Sequence, residues 1–296
     1  MSKRTKTTIL IASFLAFFVL SWLIVLYAFG YYFDLKSFDW IKTGGFLVKA
    51  GSSDVRVFIN DRFKGKTSFL SATFVEKNLL PGSYGVRLEK DGFQPLDKNV
   101  EIRSGEAAQL LHIYLAGKEE VENFIMSADR DSEAKPEELP YFISRIDGLL
   151  YKKLDDQETE KISSEPVYIT DFILKALDNN IYIASYDSEA PGVFLLDSEG
   201  KWEQIHQAPT DDLAISPDRK KLAIIGSNEI SVLWLKDENE FPYFKKDHKE
   251  RVLKIGEKIN KTYWFKTNWH LIYLTENGET HFIEIDGTGG RNDLRI

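Results

Sequence analysis

Residues 213–234, LAISPDRKKLAIIGSNEISVLW, read as strand, tight turn, strand and strand. Leu213-Ala214-Ile215 is a short apolar run, and Pro217-Asp218-Arg219-Lys220 has the residues a turn needs. Proline presets φ, and aspartate folds its side chain onto nearby backbone. Leu222-Ala223-Ile224 and Ile230-Ser231-Val232-Leu233-Trp234 then follow, each too short for a helix and rich in strand formers. The same arrangement recurs outward. Leu149-Leu150-Tyr151, Ile181-Tyr182-Ile183 and Leu271-Ile272-Tyr273 each follow a turn, at Asp147-Gly148, Asp178-Asn179-Asn180 and Thr267-Asn268. Further strands lie at Val193–Leu196 and Phe282–Ile285, with turn signals at Glu199-Gly200 and Asn277-Gly278.

Counted from Leu149, Ile181, Leu222 and Leu271, successive units begin 32, 41 and 49 residues apart. A spacing near 40 with several strands per unit predicts propeller blades over residues 140–296. Ser216-Pro217-Asp218 before Lys221-Leu222-Ala223 resembles the blade turn of TolB-like and WD40-like propellers. Asp197-Ser198-Glu199-Gly200 and Ile285–Gly290 are similar to the turns that end inner strands in those blades. Four units predict a partial or small propeller. Its free edge then becomes a contact surface, unless the ring is compact, the chain shortened or a partner completes it.

Ile9 to Tyr32, ILIASFLAFFVLSWLIVLYAFGYY, carries no charge, and Lys3, Arg4 and Lys6 precede it. About 20 apolar residues at 1.5 Å each cross a hydrocarbon core of roughly 30 Å. A transmembrane helix is therefore expected over 8–32, with Ile9, Trp22 and Tyr32 as anchor residues and the tyrosines in an aromatic belt. The basic flank places residues 1–7 in the cytoplasm and everything beyond 33 outside. A cleaved signal peptide is the rival, although the run exceeds the usual 7–15-residue apolar region. Residues 33–43 are expected as a juxtamembrane linker.

From 44 to 116 short strands alternate. Val55, Val57 and Ile59 interleave with Arg56, Phe58 and Asn60, and Tyr84, Val86 and Leu88 with Gly85, Arg87 and Glu89. Val100 with Ile102, and Leu111, Ile113 and Leu115, continue the period of two. This predicts a small antiparallel β-sandwich. Gly65-Lys66-Thr67, Leu79-Leu80-Pro81-Gly82-Ser83-Tyr84 and Asp91-Gly92-Phe93 occur in order, and the region resembles the PEGA domain. Ser52-Ser53-Asp54-Val55 departs from the namesake tetrapeptide. The resemblance implies an extracytoplasmic β module that senses, adheres or contacts polysaccharide, without catalysis. Gly65-Lys66-Thr67 is no phosphate loop, because Asn60 stands where that loop needs glycine.

Residues 117–139 are dense in Glu, Asp and Lys and are expected as a solvated acidic linker. A short helix lined by Val121, Phe124 and Ile125 is the alternative. The 296 residues carry a net charge of −8, and removing the three basic residues of the first six leaves −11 outside. That balance argues against nucleic acid as a partner. With no cysteine, disulfides, thiol catalysis and cysteine zinc sites are excluded.

The five histidines, at 112, 206, 248, 270 and 281, have no helical metal spacing. No catalytic, cofactor or metal residues are assigned, although His270 and His281 flank one hairpin and Asp286–Asp293 has the oxygen ligands of a calcium loop. Asp155-Asp156 and Asp211-Asp212 give no facing carboxylate pair, since neighbours in a strand point oppositely. The aromatic cluster around Tyr263 supplies the candidate ligand contacts, Trp264, Trp269 and Tyr273, with core packing as the alternative use. The expectation is a membrane-anchored extracytoplasmic binding or scaffolding protein of the bacterial envelope, with an envelope protein or polysaccharide as partner. The alternative is an envelope hydrolase with its site at a propeller mouth.

Overall fold

The computed structural model describes residues 3–35, 38–133, 140–155, 158–169, 172–177, 180–185 and 191–296. The turn expected at Asp178-Asn179, Asp156 and the end of the acidic segment, 134–139, lie outside the described residues. The chain divides into two compact units: Met1–Leu115 with Thr288–Gly290, and Ala116–Gly287 with Arg291–Ile296.

In the first unit, α1 (Lys3–Ala28) is apolar on every side from Ile9 onward, and its segment Thr5–Ala28 is long and apolar enough to cross a bilayer. It stops four residues short of the expected span. The Phe29 amide bonds the Val25 carbonyl and the Gly30 amide that of Tyr27, both at 3.0 Å, and Gly30 leaves the helix with φ +81°. Glycine takes that left-handed turn without Cβ strain, which makes it a helix stop. Tyr31 and Tyr32 therefore belong to β1 (Tyr31–Asp34), which pairs antiparallel with β2 (Asp39–Lys42). Most of the described part of the expected 33–43 linker thus lies in these two paired strands.

The module that follows has two sheets. Strands β3 (Gly44–Ala50), β6 (Thr73–Leu79) and β9 (Ala107–Ile113) form one, in the order β6-β3-β9. The other runs β5-β4-β7-β8, from β4 (Arg56–Ile59), β5 (Arg62–Lys66), β7 (Gly82–Glu89) and β8 (Leu96–Ile102). Val57, Ile59, Val86, Leu88, Val100 and Ile102 are buried, as the alternation requires. One pairing departs from the all-antiparallel expectation: β3 and β9, the first and last strands of the module, run parallel.

The motif residues stitch this module together. Buried Thr67 accepts the Val55 amide at 3.0 Å and donates to the Ser52 carbonyl at 3.2 Å. The Tyr84 hydroxyl donates to the Leu80 carbonyl across the Pro-Gly turn at 2.8 Å. Asn60 accepts the Gly85 amide at 2.9 Å.

In the second unit, α2 (Lys118–Glu133) precedes four sheets whose strand order is the chain order, every pair antiparallel. The first is β10 (Tyr141–Ile143), β11 (Leu150–Lys153) and β12 (Thr159–Lys161). The second is β13 (Phe172–Leu177), β14 (Asn180–Ser185), β15 (Gly192–Leu196) and β16 (Trp202–His206). The third is β17 (Asp212–Ile215), β18 (Lys221–Ile225), β19 (Glu229–Trp234) and β20 (Lys249–Lys254). The fourth is β21 (Ile259–Trp264), β22 (His270–Thr275), β23 (Thr280–Glu284) and β24 (Asp293–Arg295). The four runs used to count repeats lie on β11, β14, β18 and β22, the second strand of each sheet.

Apolar clusters join neighbouring sheets: Leu150, Leu174 and Ile183 the first and second, Tyr182, Leu213 and Leu233 the second and third, Trp234, Trp264 and Ile283 the third and fourth. Among the described residues no strand pairs the first sheet with the fourth, and there is no closed barrel.

The acidic segment is corrected. Over 118–133 it is not a solvated linker but a helix docked on β21. Val121 is fully buried, and the Phe124 and Phe265 rings meet edge-on at 5.1 Å. Asp129 accepts the Tyr263 hydroxyl at 2.5 Å and pairs with Lys261 at 2.9 Å, while Glu120 holds Lys266 at 2.6 Å. An apolar stripe on a charged helix is enough to dock it. Burial, and then the bond to Asp129, push the Tyr263 phenol up to about 12. The folded state thus favours the neutral phenol, so this docking contribution is present below the ordinary tyrosine value near 10 and is lost as pH rises through about 12. Asp129→Asn is expected to lower the Tyr263 titration toward 10, read by NMR of ring-labelled tyrosine, and to loosen α2 without unfolding the sheets.

Candidate binding surface

The first sheet has three strands where the other three have four. Its pairing with β11 decides which backbone groups β10 leaves free. The Lys153 amide bonds the Pro140 carbonyl and the Ser144 amide bonds the Leu149 carbonyl, so residues 140, 142 and 144 face β11. By the alternation of antiparallel ladders, Tyr141 and Ile143 turn their N–H and C=O groups away from it. Among the described residues no group pairs with them.

A groove of about 520 Å³ runs beside this edge. β10 and the turn after it form one wall, and Val167, Tyr168, Ile169 and Phe172 the other. Tyr168 is 73% exposed and Phe142 41%, two aromatic side chains open to solvent beside Ser144 and Arg145. Phe142 stacks on Tyr151 at 5.7 Å. The turn is held by Asp147, whose carboxylate accepts the Leu149 amide at 3.1 Å and the Tyr151 hydroxyl at 2.8 Å. Those bonds hold Asp147 below the usual carboxylate range, and the bond to Asp147 lifts the Tyr151 phenol above its own. Gly148, at φ +70°, lies so close to Tyr168 and Pro166 that a side chain there would meet both. The Val167 amide bonds the Gly148 carbonyl at 2.7 Å and fixes the two walls together.

A second cleft, of about 580 Å³, lies between the second and third sheets and is lined by Tyr182, Glu203, Gln204 and Asp247 among others. Its polar groups are largely committed. Asp197 accepts the amides of Glu199 and Lys201, both at 2.8 Å, and Lys249 donates to the Ile205 carbonyl at 2.7 Å. Burial holds the neighbouring His206 below the usual histidine range, followed by the charge of Lys249.

The aromatic residues singled out in the sequence sit elsewhere. Trp264, Trp269 and Tyr273 are buried in the core between the third and fourth sheets. The Trp264 indole donates to the Ala214 carbonyl at 2.8 Å, and Tyr273 donates to Asp293 at 2.6 Å. None of the three offers a ring face to solvent. Tyr263 and Phe265 point together toward α2 and Trp264 points oppositely, as strand alternation requires. Of the anchor residues, Ile9 and Trp22 lie exposed on α1, whereas Tyr32 lies on β1.

The other polar candidates resolve into structure. His270 pairs across the ladder with Glu284 and His281 with Tyr273, three positions or roughly 10 Å apart, so the two histidines do not converge. At the end of β23, Glu284 accepts both the backbone and side-chain N–H of Asn292, at 3.0 and 3.1 Å. Among the described residues no group of three His, Asp or Glu side chains could hold a metal ion.

Among the described residues Lys221 is the most deeply buried cation. Its ammonium lies 3.4 Å from Asp218, 3.5 Å from Glu238 and 4.3 Å from the Trp269 ring centre. Burial lowers its pKa from the ordinary lysine value, opposed by both carboxylates. The Ser216 hydroxyl bonds Asp218 at 2.5 Å and accepts the Lys221 amide, and Asn268 accepts the Asp218 amide at 3.0 Å. The Ser-Pro-Asp turn thus ties the third sheet to the fourth.

Compared with known proteins, residues 44–113 match the PEGA domain family, about a quarter of the chain. No curated protein matches the chain. Two solved structures share a loose likeness. One is a protein of unknown function from Bacteroides thetaiotaomicron VPI-5482, with 14% identity and a TM-score of 0.34, covering 81% of this chain and 52% of that one. The other is from Lactobacillus plantarum, with 10% identity and a TM-score of 0.31, covering 82% of each. This chain spans about half the length of the Bacteroides protein.

Replacing Lys221 by Met removes the buried ammonium from Asp218 and leaves Glu238 with Lys220, at 3.3 Å, as its cation, and is expected to lower stability in urea unfolding by up to about 3–5 kcal/mol. Adding Glu238→Gln to it should recover part of that loss.

Proposed function

We propose that this chain is a membrane-anchored, extracytoplasmic binding or scaffolding protein of the bacterial envelope, and that it holds an extended polypeptide segment along β10. α1 serves as the anchor with its N-terminus in the cytoplasm, and the PEGA-like module and a partial propeller of four sheets stand outside. The family match at 44–113 and the apolar α1, none of whose span Thr5–Ala28 is buried, support the placement.

The outward backbone of Tyr141 and Ile143, unpaired among the described residues, beside the aromatic groove carries the binding reading. An added strand satisfies outward N–H and C=O groups, and flanking pockets take alternate side chains. The groove is open at the surface, its lining mixes aromatic residues with Ser144 and Arg145, and the backbone along β10 is already extended. A polysaccharide would use the rings of Tyr168 and Phe142 but not the backbone edge.

The two ligand classes are separable. Full chain in detergent micelles is screened against envelope glycans and extended peptides, then as Ile143→Pro and Tyr168→Ala. Proline removes an outward N–H. Peptide binding weakened at least tenfold by both changes is expected. Glycan binding that survives Ile143→Pro and fails with Tyr168→Ala would overturn the polypeptide assignment. Binding of both ligands unaffected by either change would remove this surface from the account.

A further inference from the structure

We infer that the pocket where α1 meets the β module binds the phosphate headgroup of a membrane phospholipid. The inference rests on the reading of α1 as a membrane anchor. The pocket holds about 360 Å³ and is walled by the end of the helix, the start of β3, part of β6 and the turn between β8 and β9. The 24 residues Thr5–Ala28 rise about 36 Å, so a hydrocarbon core of roughly 30 Å leaves Ala28 at the level of the lipid headgroups. Phe29 lines the pocket, is 71% exposed, and continues the apolar surface of the helix into it.

Backbone geometry brings two lysines to this pocket. In the β3–β6 ladder Gly44 faces Leu79 and Phe46 faces Glu76, so Lys77 and Asn78 together oppose the single residue Gly45. That is a β-bulge, which re-aims side chains, and Asn78 takes the left-handed turn at φ +59°. A Cβ on Gly45 would collide with the Glu76 carbonyl oxygen, so glycine lets the bulge close on β3. Lys42 ends β2. Its carbonyl accepts the Ser104 hydroxyl at 3.1 Å, and its ammonium lies so close over Gly105 that a Cβ there would sit 3.1 Å from Nζ. Both lysines are exposed, and among the described residues neither pairs with a carboxylate.

The acids of the lining do not cancel this charge. Glu76 is held by Lys64 at 3.0 Å, which leaves Glu106 against the two lysines and one net positive charge. Lysine binds phosphate as a point charge, and the phosphodiester of a phospholipid supplies the single negative charge required. A helix C-terminus disfavours an anion. Here the Val25 and Tyr27 carbonyls are taken by the Phe29 and Gly30 amides, and the Gly30 carbonyl by Thr43. A free phosphate would find the same ammonium groups. The exposed Phe29 ring and the headgroup level favour the lipid.

Full-length protein in dodecyl maltoside micelles is titrated with phosphatidylglycerol, and bound lipids are counted by native mass spectrometry. The inference expects one tightly held lipid, weakened about tenfold or more by Lys42→Gln combined with Lys77→Gln. Lys49→Gln, an exposed lysine at the far end of β3, is expected to change nothing. Equal binding by the double variant, or equal weakening by Lys49→Gln, would overturn the site. Diacylglycerol binding as tightly as phosphatidylglycerol would overturn the phosphate recognition. Displacement by equimolar inorganic phosphate would assign the pocket to free phosphate and overturn the lipid. The anchor is read separately. The chain contains no cysteine, so Leu20→Cys carries a single fluorophore in vesicles of phosphatidylethanolamine and phosphatidylglycerol. Quenching at 20 by nitroxide lipids, with the lipid titration failing, would overturn this inference and leave the anchor intact. Quenching at 20 by aqueous iodide would overturn both.

Discussion

One carbonyl oxygen, that of Gly30, accepts two hydrogen bonds from Thr43: the backbone amide and the side-chain hydroxyl, both at 2.7 Å. It closes the base of the β1–β2 hairpin and joins the end of α1 to the first strand of the β module. The links continue through Thr43. Its own carbonyl accepts the Gly105 amide at 3.2 Å, the Lys42 carbonyl accepts the Ser104 hydroxyl at 3.1 Å, and the Gly45 amide bonds Glu106. The helix end, the hairpin, β3 and the turn between β8 and β9 are thereby one hydrogen-bonded assembly. Each bond contributes only about 1 kcal/mol net. Five at one place are enough to replace a linker with a joint of fixed geometry. Gly30 makes the joint by turning left-handed, and a Cβ there would sit 3.2 Å from the Thr43 hydroxyl.

Much of the fold was legible because its signals are local. Val55, Val57 and Ile59 alternate in sequence and are buried in the structure. The Ser216-Pro217-Asp218 turn lies where proline and aspartate put it, and the four apolar runs fall on the second strands of four sheets. What was not legible depended on distant partners. Val121 and Phe124 give α2 an apolar stripe, but only Phe265 and Tyr263, more than 130 residues later, decide that it docks. The hairpin over 31–42 was hidden by its aromatics. Tyr31, Tyr32 and Phe33 continue an apolar run, and Gly30 alone marks its end.

The candidate site shows the same limit. Trp264, Trp269 and Tyr273 cluster because the fourth sheet packs against the third sheet on one face and against α2 on the other. A sheet covered on both sides needs large side chains on both faces, and aromatic density alone does not tell filling from binding. The open surface lies at the opposite end of the series, on the shortest sheet. Its signal in the sequence was the brevity of the first unit and the apolar Tyr141–Ile143 run next to Pro140. The register that aims Tyr141 and Ile143 outward needed the coordinates.

The claim that α1 and the β module form one jointed body is open to a direct distance measurement. Nitroxides at Ile24→Cys and Leu70→Cys, in full-length protein in a bilayer, report the separation across the Gly30–Thr43 joint by pulsed electron resonance. The account predicts a single narrow distance distribution that broadens when Thr43→Val removes the hydroxyl bond. A broad distribution with Thr43 intact, as a flexible linker would give, would contradict it.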